Sequence, residues 1–110
     1  NAHGSAHSME MLARIFGSKE EGQFDPISAY AFYKLSAKQR TIDMERLQKR
    51  RQDFLNKGLL VGSSERRIKQ NQNALEGVEA TLKVLTRGLA PHQLKQGNHQ
   101  VEVWSLGDSN

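Results

Sequence analysis

The sequence predicts an all-α chain built on an antiparallel two-helix coiled-coil hairpin, and three observations carry that expectation. Tyr33, Ala37, Met44, Leu47 and Phe54 recur at alternating steps of four and three, with Arg40 and Arg51 filling the gaps. Ile68, Leu75, Val78, Leu82, Leu85 and Leu89 recur in the inverted order, with Asn71 in the polar slot. That inversion is what antiparallel partners require, because an a layer on one helix faces a d layer on the other. Between the stripes lies a short connection containing Gly58, which forces neighbouring helices to run in opposite directions. Folding the chain back pairs 54 with 68, 51 with 71, 47 with 75, 44 with 78, 40 with 82, 37 with 85 and 33 with 89. Arg51 then meets Asn71 in a polar layer, and Arg40 lays its stem across the seam with its head towards Glu79.

The elements follow in order. Residues 1–8 read as an expression remnant, small residues with His3 and His7, and are set apart from the fold. Residues 9–22 form a short amphipathic helix, with Met11, Leu12, Ile15 and Phe16 as its apolar face, and a polar linker from Gly17 to Gly22. The hairpin spans 25–88. Asp25-Pro26 starts its first helix, since Asp caps free N–H groups and Pro lacks a donor the first turn does not use. No Pro or Gly interrupts until Gly58, so that helix covers about 26–57. Ser63 or Ser64 is expected to cap the second, about 64–87, which Gly88 and Pro91 end. Residues 89–110 are expected to be an irregular tail, because Gly97, Asn98 and Gly107 read as loose.

Two helices do not enclose a core. Ile27, Ala31, Leu35 and Ile42 lie on the far side of the first helix from the seam, and left wet they form an exposed patch. The short N-terminal helix, the segment around Trp104 or a second copy of the chain would cover them. A homodimer closing into a helical bundle is the expected solution, with these four residues as the partner face.

The chemistry of catalysis finds little footing. The chain has no Cys, which removes thiolate nucleophiles, disulfides and Cys-based zinc sites together. His92 and His99 stand seven apart with no matching third ligand, so solvated histidines are the plainer reading and no metal is expected. Asp43 and Glu45 point to different faces of one helix, Ser63-Ser64 reads as a cap, and no Gly-rich phosphate loop follows a strand. No enzyme activity and no cofactor are expected. No apolar run approaches the ~20 residues of a membrane span, and no secretory signal is seen, so a soluble, cytoplasmic protein is expected.

Charge is the remaining signal. Residues 46–69 hold eight cations against Asp53 and Glu65, a net of +6 in a chain whose total is +4, so the rest carries −2. Lys38, Arg46, Lys49, Arg50 and Lys57 fall in one outer arc of the first helix, and Arg66, Arg67 and Lys69 join them across the connection. Such a ridge suits charge-driven phosphate contacts to nucleic acid without base readout, as no aromatics interleave with the cations. A protein–protein adaptor or chaperone-like module using the apolar outer face is the alternative. A third reading is a peripheral binder of anionic membranes, with Leu59-Leu60-Val61 as an apolar tip in a basic collar. The run MLARIFGSKEE (11–21, with the Met11 start) ahead of a basic hairpin resembles in outline the opening of ESCRT-III and phage-shock-type membrane-remodelling proteins. That resemblance covers about ten residues and a shape; the longer second helix and acidic C-terminal region of those families are missing here.

Overall fold

The computed structural model describes residues 5–19, 22 and 24–108, the last three by backbone only. It is all-helical: α1 (Ala6–Gly17), α2 (Pro26–Asn56), α3 (Gly62–Gly88) and α4 (Pro91–Asp108). Among the described residues no helix is long and apolar enough to cross a membrane. The molecule measures 51 × 30 × 23 Å, and α2 is its spine, since α1, α3 and α4 each pack on it.

Ser5 opens α1 by accepting a hydrogen bond from the Ser8 N–H, and Ala6 is buried. Residues 5–8, set apart from the fold in the sequence, are thus the cap and first turn of α1; residues 1–4 lie outside the described residues, as do 20 and 21 of the expected linker. The inward face of α1 is also different. Ala6, Met9 and Ala13 are buried, whereas Met11, Leu12 and Ile15 are exposed. Met9 fills the inner face between two alanines, and α1 runs close to α2 at its end: a Cβ on Gly17 would stand 3.6 Å from that of Ala29.

Asp25 caps α2, accepting from the Ser28 N–H at 3.1 Å, and Pro26 follows at the start. The connection to α3 ends α2 at Asn56. Gly58 takes φ 72°, Leu59 N–H donates to Phe54 C=O at 2.8 Å and Gly58 N–H to Leu55 C=O at 3.1 Å. This six-to-one closure needs a residue in the left-handed region, which Gly supplies without strain. α3 begins at Gly62 with Val61 at the cap position and no side-chain cap bond. Neither Ser63 nor Ser64 caps it; Ser64 is buried within the first turn.

α2 and α3 run in opposite directions. Lys34 shares a hollow with Leu82 and Thr86, Arg40 bonds to Asn71, and Arg51 shares a hollow with Glu65 and Ile68. The expected pairs of 51 with 71 and 40 with 82 are not what forms. Arg40 meets Asn71 where residue 82 was expected, a shift of 82 − 71 = 11 residues, about three turns, towards the start of α3. The buried residues of α3, Ser64, Asn71 and Val78, are seven apart, so a heptad stripe slides onto itself and cannot by itself choose among registers.

Residues 89–110 are not an irregular tail, because α4 occupies most of them. Pro91 stands first in the helix, and Gln93 Oε1 accepts from the Ala90 N–H at 2.8 Å, half of a capping box. Gly97, read from sequence as loose, is a contact: it is buried, and an added Cβ would lie 2.6 Å from Tyr30 Cδ1. Beside it the Tyr30 hydroxyl donates to Asn98 Oδ1 at 2.9 Å. An aromatic ladder joins three helices, with Phe16 of α1 and Trp104 of α4 both against Phe32, at centroid distances of 5.8 and 4.7 Å.

The partner face is thereby covered within one chain. Ala31 is 0 % and Leu35 4 % exposed, Ile27 is half-buried, and only Ile42 of the four, at 38 %, remains at the surface. Every buried residue of α2 lies between Ala29 and Ser36, and the contacts named for α1 and α4 fall between Ile27 and Arg40. Beyond Arg40, α2 continues with α3 alongside as a slim arm. Gly97→Ala is expected to unseat α4, costing about 1–3 kcal/mol through overpacking against Tyr30. Amide hydrogen exchange should accelerate across 91–108 while the arm keeps its protection; uniform acceleration would contradict this packing.

Candidate phosphate-binding groove

The groove is built around a polar node that joins three helices. Arg40, in mid-α2, holds Glu10 of α1 with two bonds, Nε to Oε2 at 2.6 Å and Nη2 to Oε1 at 2.9 Å. Its Nη1 donates to Asn71 Oδ1 of α3 at 2.9 Å, and Asn71 Nδ2 donates back to the Arg40 carbonyl at 2.8 Å. The Ser36 hydroxyl also donates to Glu10 Oε2. Arg40 therefore does not reach towards Glu79. Bidentate charge-assisted bonds of this kind fix geometry as well as adding stability.

Beside the node, a groove of about 540 Å³ lies between α2 and α3, lined by Arg40, Asp43, Arg46, Leu47, Arg50, Arg67, Gln70, Asn71 and Ala74. Arg46 and Arg50 sit one turn apart on α2, and Arg67 reaches in from α3. Glu10 offsets the charge of Arg40, and Asp43 accepts a hydrogen bond from Gln39 at 2.9 Å. Three exposed guanidinium groups then face one carboxylate, with Gln70 as a neutral donor. Planar guanidinium forks match the oxygens of phosphate, and Arg serves this better than Lys.

The eight expected cations stand in different surroundings. Arg46, Arg50 and Arg67 share the groove. Lys69 lines a separate hollow with Arg51 and the carboxylate of Glu65. Lys38 donates to Ser105 Oγ at 3.2 Å, on α4, a helix absent from the sequence reading. Lys49, Lys57 and Arg66 are exposed along the arm. Sequence reasoning missed Glu10, Ser36 and Arg40 as a unit. The available signal was Arg40 itself, a charge in an apolar stripe with no partner on the facing one.

Among the described residues no three His, Cys, Asp or Glu side chains gather as a metal site would need. No known protein family, curated protein or solved structure matches the chain.

Burial pushes the Glu10 carboxyl upward, but the hydrogen bonds from Arg40 and Ser36 and the charges of Arg40 and His7 more than reverse this. Its pKa lies below the ordinary 4.5. The bond to Glu10 raises the Arg40 guanidinium in turn, against burial. A carboxyl lowered on folding stabilises the fold above its unfolded value, and that contribution is lost as pH falls through the folded one. The urea midpoint should therefore drop between about pH 5 and pH 3. Glu10→Gln is expected to be less stable at neutral pH and to lose less across that window. Parallel profiles for the two proteins would show that Glu10 carries none of the dependence.

Proposed function

We propose that this is a non-enzymatic binding protein whose α2–α3 arm engages the phosphates of nucleic acid without reading bases. The observation that carries this is the convergence of Arg46, Arg50 and Arg67, from two helices, on one open groove. In this reading α2 and α3 form an antiparallel coiled-coil hairpin, and the node at Arg40 holds the groove walls in register. Lys49, Lys57 and Arg66 extend the positive surface along the arm. A duplex, whose phosphates recur at regular spacing, meets such a surface through charge and shape rather than hydrogen bonds to base edges. Nothing in the groove offers the aromatic platforms on which single strands stack.

Binding to duplex should weaken steeply with salt, with a log–log slope near −5 for about six phosphate contacts. Replacing Arg46, Arg50 and Arg67 together with Gln should cut the slope by about 3 and leave helicity unchanged. No shift of a duplex probe at low salt would remove the reading.

A second reading, self-association, is favoured by the outward turn of Met11, Leu12 and Ile15 on α1. A second copy covering that strip would make a dimer through α1 rather than through the α2 face. Light scattering at increasing concentration should then show twice the monomer mass, and Ile15→Asp should restore the monomer. A constant monomer mass would dispose of it.

A further inference from the structure

The connection between α2 and α3 sets three leucines at the end of the arm. Leu60 is 94 % exposed, Leu59 53 % and Leu55 43 %. A slack loop would fold such side chains back over the end of the α2–α3 seam. This one is held open. The Leu59 N–H is tied to Phe54 C=O and the Gly58 N–H to Leu55 C=O, while Val61 C=O accepts the Glu65 N–H at 2.9 Å to begin α3. Leu60 is the apex between those two clamps, so its exposure is built into the backbone.

The surroundings of the apex are charged. Lys57 stands three residues before Leu60, Arg66 and Arg67 lie in the opening turns of α3, and Arg50 and Arg51 in the closing turns of α2. Asp53 and Glu65 are the carboxylates of the same region, leaving a positive balance. The apex is also sterically free. The nearest named contact of α1 or α4 on α2 is at Arg40, 16 residues before Asn56, or about 24 Å along the helix.

A partner that complements this end needs an anionic rim and an apolar layer just beneath it. Nucleic acid offers the first without the second. An anionic bilayer leaflet offers both, because acyl chains begin within a side chain's length of the headgroups. We infer that the arm tip inserts Leu59 and Leu60 into anionic membrane surfaces, with Lys57 and Arg66 on the headgroup phosphates. This is a contact at the surface: the five residues between the helix ends, 57–61, do not span a bilayer. It shares Lys57 and Arg66 with the nucleic-acid reading but rests on Leu59 and Leu60, which do not line the arginine groove, and it involves the opposite end of α2 from the α1 segment that resembles membrane-remodelling proteins.

Co-sedimentation with vesicles tests it. The protein should pellet with phosphatidylcholine vesicles containing phosphatidylserine and stay in solution with phosphatidylcholine alone. Leu60→Asp, at a site too exposed to affect folding, should weaken pelleting about tenfold or more, with the duplex shift and circular dichroism unchanged. Because the chain has no Cys, Leu60→Cys carrying a polarity-sensitive dye places one probe at the apex; its emission should move to the blue on anionic vesicles. Wild-type protein left in the supernatant, or Leu60→Asp pelleting like wild type, overturns the inference. So does a fall in solution mass on Leu60→Asp, which assigns the tip to a second copy of the chain instead.

Discussion

Three helices of this protein meet at one guanidinium. Arg40 satisfies Glu10 from α1 and Asn71 from α3 while its own backbone carbonyl takes a bond back from Asn71. Charge-assisted bonds from one side chain to two neighbouring helices fix how those helices sit against α2. Two heptad stripes can pair in several registers, and packing alone discriminates weakly among them. The offset in this structure sets Asn71 on Arg40 while Arg40 holds Glu10. The groove depends on that offset, because Arg67 faces Arg46 and Arg50 only when α3 is set against α2 in this way.

The helical class was open to a reader of the sequence because periodicity and capping chemistry are local properties. Asp25-Pro26 announces α2, and Gly58 its end, whatever packs around them. What lay hidden was non-local or looked like noise. Ser5 to Ser8 resembled an appended remnant, yet Ser5 is a helix cap. Gly97 looked like a breaker because its role, room for the Tyr30 ring, exists only once α4 is in place. Yet Leu94, Gly97, Val101 and Trp104 do recur at helical spacing, and Pro91 with Gln93 is a start signal. The concentration of charge in 46–69 was equally legible. Which cations share a wall was not, since that requires the register, and Lys38 could not be placed without α4.

The molecule divides its work along its length. Around the first half of α2, four helices bury small residues and stack aromatic rings, and the buried part of α2 ends at Ser36. The second half has company on one side only and carries Arg46, Lys49, Arg50 and Arg51. Like charges that would strain a compact core are tolerated on such an arm, where water and counterions screen them. Arg40 and Asn71 belong to both parts: they tie the helices together and line the groove.

Trp104 gives that division a practical corollary. It is the single tryptophan in the chain, and it rests on Phe32 at the seat of α4. Its emission is thus a gauge of one helix rather than of the whole fold. A melting curve followed by this indole records departure of the C-terminal helix, while far-ultraviolet ellipticity records all four. Where the two curves separate, the gap between them measures how independently the last helix comes and goes.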